Sequence, residues 1–436
     1  MTLPFSSIVP GKPRSVQSGL LFSFDTEDGY PQVRTGQTLT YATAAASRGT
    51  CVDATGRVKL QTQSQPRLHH EYDATTGLWL PAGLVLEGTR TNSWLWSRDL
   101  SNVAWVKTNV TISTDTTKGP DSDFTTASKM QETATATVEH LVSQTLPALT
   151  AATKQCVSFT AKYSRPWCFV KTVNKANVTR RSWVDLSTGA VGTKDSGHQI
   201  TVHKLADGWW RIYCQWDSGT GATTPTAAVG IATADNTFSY TGAVGSGIYV
   251  TDLQFETDQA VPSAIIPTTS TTASRQTDTC SSTFDWGLGD LTVYVKLPRP
   301  LWLDWTTNLV NSKIVFKLSS GNPRLWLFFY PLGSQIQYLQ LTDAVPNYSQ
   351  WAPFVPSGTP LEYCCQVRNL STGGSVQLDT GSGFGGWSAP TINPITAWGD
   401  NVVRFDDGTA GSLLGSLQVV RIAAGLRTMA QMRGYR

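Results

Sequence analysis

Charged side chains are scarce in this chain: Asp, Glu, Lys and Arg make up 15% of its 436 residues, against about 25% in an average globular domain. A fold built on charged amphipathic helices is disfavoured by that alone. The net charge is only +3 and no Lys/Arg run is longer than Arg180-Arg181. The basic footprint that DNA or RNA requires is therefore missing, and nucleic acid is set aside as a partner. No apolar stretch approaches the roughly 18 residues of a membrane span. The first residues, MTLPFSSIVPGKPRS, have neither the basic start nor the apolar centre of a signal peptide. These absences predict a soluble product that does not insert into a membrane.

Catalytic signatures are absent too. There is no G-x-S-x-G elbow, P-loop or H-E-x-x-H. The seven cysteines, Cys51, Cys156, Cys168, Cys214, Cys280, Cys364 and Cys365, are scattered, odd in number and without a C-x-x-C pair, so they read as buried small apolar side chains. His69-His70-Glu71 is the one cluster with metal-ligand character, but neighbours on a strand point to opposite faces, and the pair reads as turn-flanking polar residues. His140, His198 and His203 stand alone. Glycan cleavage needs two carboxylates about 5 to 9 Å apart. The pairs available are Asp252 with Glu256, on the predicted solvent face of a strand, and Asp406 with Asp407, in an Asp-Asp-Gly turn; neither is taken as catalytic. Asp25-Thr-Glu27-Asp28-Gly29 and Asp121-Ser-Asp123 are rich in oxygen ligands without EF-hand spacing. No catalytic residue, metal or cofactor is assigned, and the chain is expected not to be an enzyme.

What remains is Thr, Ser, Gly and 16 Trp, a composition for β-structure packed by aromatics. Residues 1–46 carry Pro4, Pro10, Pro13 and Pro31 and read as an extended arm with a short strand at Gly19 to Asp25, ordered only by lying on the rest of the chain, a copy of it or a partner. Residues 47–92 are short strands and turns, marked by Asp53-Ala-Thr-Gly56 and Asp73-Ala-Thr-Thr-Gly77. In the stretch 93–270 the period of two recurs: KQCVSFTAKY sets Val157, Phe159 and Ala161 against Cys156, Ser158 and Thr160, and DGWWRIYCQW puts Trp210, Ile212, Cys214 and Trp216 on one face. A closing strand, Ile248 to Glu256, leads through Pro262 and Pro267 into TTSTTASRQTDT, whose Ser/Thr content reads as a linker at 271–280. Strands then recur over 281–436, at Leu291 to Leu297, Ile314 to Leu318, Leu325 to Tyr330, Gln335 to Leu341, Leu361 to Arg368, Ser375 to Leu378 and Leu413 to Ile422, with one helix at Thr428 to Arg433. The predicted fold class is all-β: two antiparallel β-sandwiches of jelly-roll type preceded by an extended N-terminal arm.

Several of these segments carry a family likeness. A Ser-Arg-Gly-Thr start at Ser47, a Pro-Arg segment at Pro66-Arg67, the Leu-Glu-Gly-x-Arg-Thr-Asn run from Leu86 to Asn92, the pair VDLSTG and DGWWRI, and the closing strand with its Ile-Pro-Thr-Thr tail together resemble the carbohydrate-binding-module-like domain of many tailed-bacteriophage structural proteins. The last strand, LLGSLQVVRI, followed by AAGLRTMAQM, resembles the end of a laminin-G or concanavalin-like sandwich.

The resemblance implies a non-enzymatic virion structural protein, a capsid decoration or part of a head or tail fibre, made in the host bacterial cytoplasm. It implies a homo-oligomer, with a trimer as the guess, and contacts to other virion proteins through the arm. The alternative is a receptor-binding tail spike or lectin, with or without depolymerase activity, since a sandwich does not fix function. For a bacterial surface glycan the candidate stacking rings are Trp167, Trp183, Trp209 and Tyr213, each weighed against core packing. Trp210 and Trp216 read as core. Trp302, Trp305, Trp351, Trp387 and Trp398 are read as loop aromatics of an interface.

Overall fold

The computed structural model describes residues 49–61, 65–113, 117–123, 126–259, 263–283, 289–297 and 426–434, together with the strands Leu20–Asp25, Gln32–Val33, Leu39–Thr43, Lys313–Leu318, Arg324–Tyr330, Gln335–Thr342, Val345–Pro353, Leu361–Arg368, Ser375–Asp379, Val402–Arg404, Gly415–Leu417 and Val419–Ala424. It is nearly all β, and every named strand pairing is antiparallel. The two-sandwich expectation holds.

The first sandwich has two six-stranded sheets. The first runs Val110–Ser113, Ser128–Glu132, Gly247–Glu256, Lys154–Lys162, Trp209–Asp217, Gln199–Lys204; the second runs Val191–Lys194, Thr179–Asp185, Trp167–Val173, Thr226–Ala232, His140–Thr145, Val106–Thr108. Alternation builds the core between them. Val157, Phe159 and Ala161 lie opposite Cys214, Ile212 and Trp210 in register. Their inward faces meet Cys168, Val170, Val184, Val229 and Ile231 of the other sheet. Burying each larger side chain contributes about 1.5–3 kcal/mol. Trp94 and Trp105 close one end, edge to face with centroids 5.3 Å apart. The Asp207-Gly208 turn launches the double-tryptophan strand with both residues at positive φ, 57° and 76°, which an Asp-Gly pair tolerates.

The outer face of the first sheet corrects the sequence reading, because it is not solvated. Ser158, Thr160, Thr251, Gln254 and Glu256 are buried there along with Arg211. The hairpin Thr50–Val52 with Val58–Leu60 packs over one end of that face, where Val58 joins Leu205, Trp209 and Ile265 in a small second core.

The second sandwich draws on both ends of the chain. One six-stranded sheet runs Gln32–Val33, Leu20–Asp25, Val419–Ala424, Leu291–Leu297, Leu361–Arg368, Ser375–Asp379. A seven-stranded sheet runs Val345–Pro353, Gln335–Thr342, Arg324–Tyr330, Lys313–Leu318, Val402–Arg404, Asp278–Thr283, Leu39–Thr43. The N-terminal segment thus adds a strand beside Val419–Ala424 in one sheet and closes the edge of the other. Within the described residues it lies on its own chain. Trp351 sits in a strand and not in a loop, whereas Trp302, Trp305, Trp387 and Trp398 lie outside the described residues.

The segment read as a linker is knitted in. Ala273–Arg275 pairs with Arg90–Asn92, and after two intervening residues Asp278–Thr283 joins the seven-stranded sheet beside Leu39–Thr43. Ser/Thr richness suggested a solvated tether, but the two charged residues, Arg275 and Asp278, are 1% and 0% exposed and anchor it. A second bridge is the strand Leu78–Leu86, which pairs with Leu68–Asp73 on one side and with Gly415–Leu417, from the far end of the chain, on the other.

Candidate functional site

Charged residues from four separate segments converge on one buried ionic clasp. Arg67 reaches it from the Pro-Arg segment, Glu87 from the Leu-Glu-Gly run, Arg275 from the strand that pairs with Arg90–Asn92, and Asp278 from the strand Asp278–Thr283 of the second sandwich. The Arg67 guanidinium donates to Glu87 Oε2 at 2.7 Å, to the Thr50 carbonyl at 3.1 Å and to Asp278 Oδ2. Arg275 lies 3.3 Å from Asp278 Oδ2 and 3.4 Å from Glu87 Oε2, and donates to the Gly88 carbonyl at 2.7 Å. Asp278 also accepts from the Tyr41 hydroxyl at 3.1 Å and from the Glu87 amide at 3.0 Å. The second oxygen of Glu87 accepts from the Ala264 amide at 2.8 Å.

Charge balance makes this arrangement tolerable. Burial would raise the Glu87 carboxyl, but Arg275 and Arg67 override it and hold it down at about 2. Burial would equally strip the Arg67 proton, yet Glu87 and Asp278 keep that guanidinium firmly charged. Two cations face two anions, and removing one partner would leave an uncompensated buried charge, which costs about 3–5 kcal/mol. Next to the clasp, Arg90 lies 3.9 Å from Glu256 Oε1, both buried, and burial lowers the Arg90 guanidinium despite that neighbour. Asn92 ties the same region together: its amide donates to the carbonyls of Leu253 and Ile266, and its oxygen accepts the Trp94 and Phe255 amides.

The four candidate sugar-stacking rings are divided between two outer faces. Trp209 is fully buried under the Val58 hairpin, and its indole donates to the Lys118 carbonyl at 3.2 Å. Trp183 is 4% exposed, packed on Phe169 and on Phe238 of the loop that crosses the second sheet, and donates to the Thr237 carbonyl at 3.1 Å. Neither ring presents a face to a ligand, so both assignments are withdrawn. Trp167 is half-buried on the second sheet against the Trp183 cluster. Tyr213 is half-buried on the first sheet, edge-on to His203 at 5.5 Å and beside the Arg211 guanidinium; burial pushes its hydroxyl up to about 12. The set does not form a platform.

The other sequence candidates are engaged in packing. Asp252 and Glu256 are both 1% exposed, not solvent-facing. A register shift in the pairing of Gly247–Glu256 with Lys154–Lys162 accompanies Asp252 at φ 53°, and its carboxylate takes the Arg98 Nε at 2.5 Å. Arg98 reaches Asp121 Oδ2 at 3.1 Å as well, so between these two acids a guanidinium supplies the charge a cation would. Asp406 and Asp407, and the acids following Asp25 up to Asp28, lie outside the described residues. His69 and His70 depart from simple alternation, since the register shifts between them. The His69 Nδ1 accepts the Val52 amide at 3.1 Å while the His70 Nδ1 lies 3.2 Å from the Val52 carbonyl. Burial, then His203 and His70, hold the His69 imidazole at about 3. All seven cysteines are free and buried, as expected, and burial raises thiols such as Cys168 and Cys214. Among the described residues no group of three or more His, Cys, Asp or Glu is placed to hold a metal ion, and no helix is long and apolar enough to cross a membrane.

Arg67, Glu87, Arg275 and Asp278 had not been singled out individually from the sequence. The available signal was scarcity: in a chain with so little charge, an Arg or Glu inside a Gly- or Ser-rich turn segment is marked for a buried partner. No protein-family model matches the chain and no curated protein is similar to it. Among solved structures, the mouse laminin alpha1 chain, domains LG4-5, is similar at 11% identity with a TM-score of 0.21, covering 67% of this chain and 89% of that one, a likeness too distant to carry an argument.

Proposed function

We propose that the chain is a non-enzymatic virion structural protein of a tailed bacteriophage, a capsid decoration or a component of a head or tail fibre, assembled as a homo-oligomer. The observation that supports this reading is the use made of residues in the segments that carry the likeness: Arg67, Glu87, Arg90 and Asn92 are buried in ion pairs and hydrogen bonds between segments, where they brace a scaffold. A receptor-binding lectin is the weaker reading, because Trp183 and Trp209 are buried.

Contacts to capsid or tail proteins are assigned to the arm, outside the strands Leu20–Asp25, Gln32–Val33 and Leu39–Thr43 that its own chain engages. The test is peptide mass spectrometry of gradient-purified particles of the phage encoding the chain, with gel filtration and mass measurement of the isolated protein. Stoichiometric recovery in the particle band and a trimeric mass are expected. A monomer that is present in the lysate but missing from particles would sink the proposal.

A further inference from the structure

We propose that the Arg67–Glu87–Arg275–Asp278 clasp is a coupling lock that makes the two sandwiches one cooperative body, so that neither opens without the other. The local pair Arg275–Asp278 does not suffice: Arg67, Glu87, Arg275 and Asp278 each take at least one further partner from another segment. The Asp278 carboxylate, on the strand Asp278–Thr283 of the second sandwich, takes donors from four places: Tyr41 on the N-terminal edge strand, the Arg67 side chain, the Glu87 amide and Arg275. Glu87 in turn takes Arg67 and Arg275 on one side and the Ala264 amide on the other, which ties the clasp to the segment leaving the strand Gly247–Glu256.

Exposure is 1% for Arg67 and Arg275, 5% for Glu87, 2% for Tyr41 and 0% for Asp278, so water cannot replace a departing partner without the whole junction opening. Docking of the N-terminal strand, seating of Ala273–Arg275 and the start of the second sandwich are therefore one event. A Ser/Thr tether with independent sandwiches would behave in the opposite way.

Calorimetry of the full chain, paired with limited proteolysis mapped by mass spectrometry, tests this. One endotherm with calorimetric and van't Hoff enthalpies in agreement is expected, and native protein should resist cleavage between residues 268 and 283. Asp278→Asn should split the endotherm in two. If that variant fails to fold, Tyr41→Phe decides: it removes one hydrogen bond to Asp278 and leaves the ion pairs, and should speed cleavage in that segment roughly fivefold, the equivalent of one hydrogen bond. Arg180→Met, which breaks the Arg180–Asp195 pair at 3.1 Å inside the first sandwich, is the control and should lower the melting temperature while keeping a single endotherm. Two endotherms in the unmodified chain, or cleavage of Tyr41→Phe at the unmodified rate, would overturn the lock.

Discussion

His198 shows how a single buried side chain sets a pH limit on this fold. It is fully buried, with Nε2 2.8 Å from the Thr172 hydroxyl and Nδ1 2.9 Å from the Ser182 hydroxyl. Hydroxyls can donate or accept, so the neutral ring is satisfied. Burial, partly opposed by Asp195, lowers the imidazole from 6.5 to about 4. Between those values the unfolded chain binds the proton and the folded chain does not. Stability attached to this group is therefore complete above pH 6.5, is lost as the pH falls to about 4 and changes no further below it. The loss should be about 3 kcal/mol. Urea unfolding of the unmodified chain and of His198→Gln at a series of pH values checks it: the variant should show a visibly flatter curve in that window, and parallel curves would refute the account.

At the level of elements, the C-terminal helix Met429–Gly434 is instructive because it is too short to persist unaided. Thr428 and Gln431 form a reciprocal cap, the Gln431 amide donating to the Thr428 hydroxyl at 3.2 Å and the Thr428 amide to Gln431 Oε1 at 2.8 Å. Arg421, from the strand beneath, donates to the Met432 carbonyl at 2.9 Å and the Arg433 carbonyl at 3.2 Å, where the helix leaves carbonyls unpaired. Thr428→Ala should cost about 1 kcal/mol of local stability, read as roughly fivefold faster amide exchange in the helix with the strands unchanged. The helix was legible in the sequence at Thr428 to Arg433, and strands with clean alternation, such as Lys154–Lys162 and Leu291–Leu297, were legible nearly to the residue. What covers each face was not. Alternation reports that two faces differ; it places Asp252 and Glu256 on a solvent face and leaves the Trp209 and Tyr213 face open to solvent, a glycan or a neighbouring sheet. In Trp209–Asp217 that face carries Trp209, Arg211, Tyr213 and Gln215, too much bulk for a wetted surface, and the Val58 hairpin covers part of it. Arg275 and Asp278 were read with the Ser/Thr residues around them because, beyond their own i,i+3 pair, the partners that bury them lie about 190 to 240 positions away.

For the whole molecule, the seven buried thiols report how often the structure opens. They are spread from Cys51 to Cys365, and burial raises the Cys156, Cys168, Cys214, Cys364 and Cys365 thiols further above neutrality, so reaction with a thiol reagent requires exposure first. Native protein should react with almost none of its cysteines over an hour at neutral pH and with all seven in denaturant. Staged reaction in mild denaturant would instead show separate opening units.

The pairing of Leu20–Asp25 with Val419–Ala424 also sets a schedule for synthesis. The first of these strands leaves the ribosome about 400 residues before its neighbour exists, and at roughly 5–20 residues per second that is on the order of 20–80 s. During that interval the nascent chain carries a strand with only the short Gln32–Val33 strand beside it and its other edge unpaired, and a translating polysome holds many such edges side by side. Slowing elongation would lengthen the wait, while a chaperone that shields the emerging N-terminal segment would shorten its exposure. Yield of folded protein should therefore depend on translation rate and on holding capacity in the cell more steeply than the stability of the finished sandwiches would suggest.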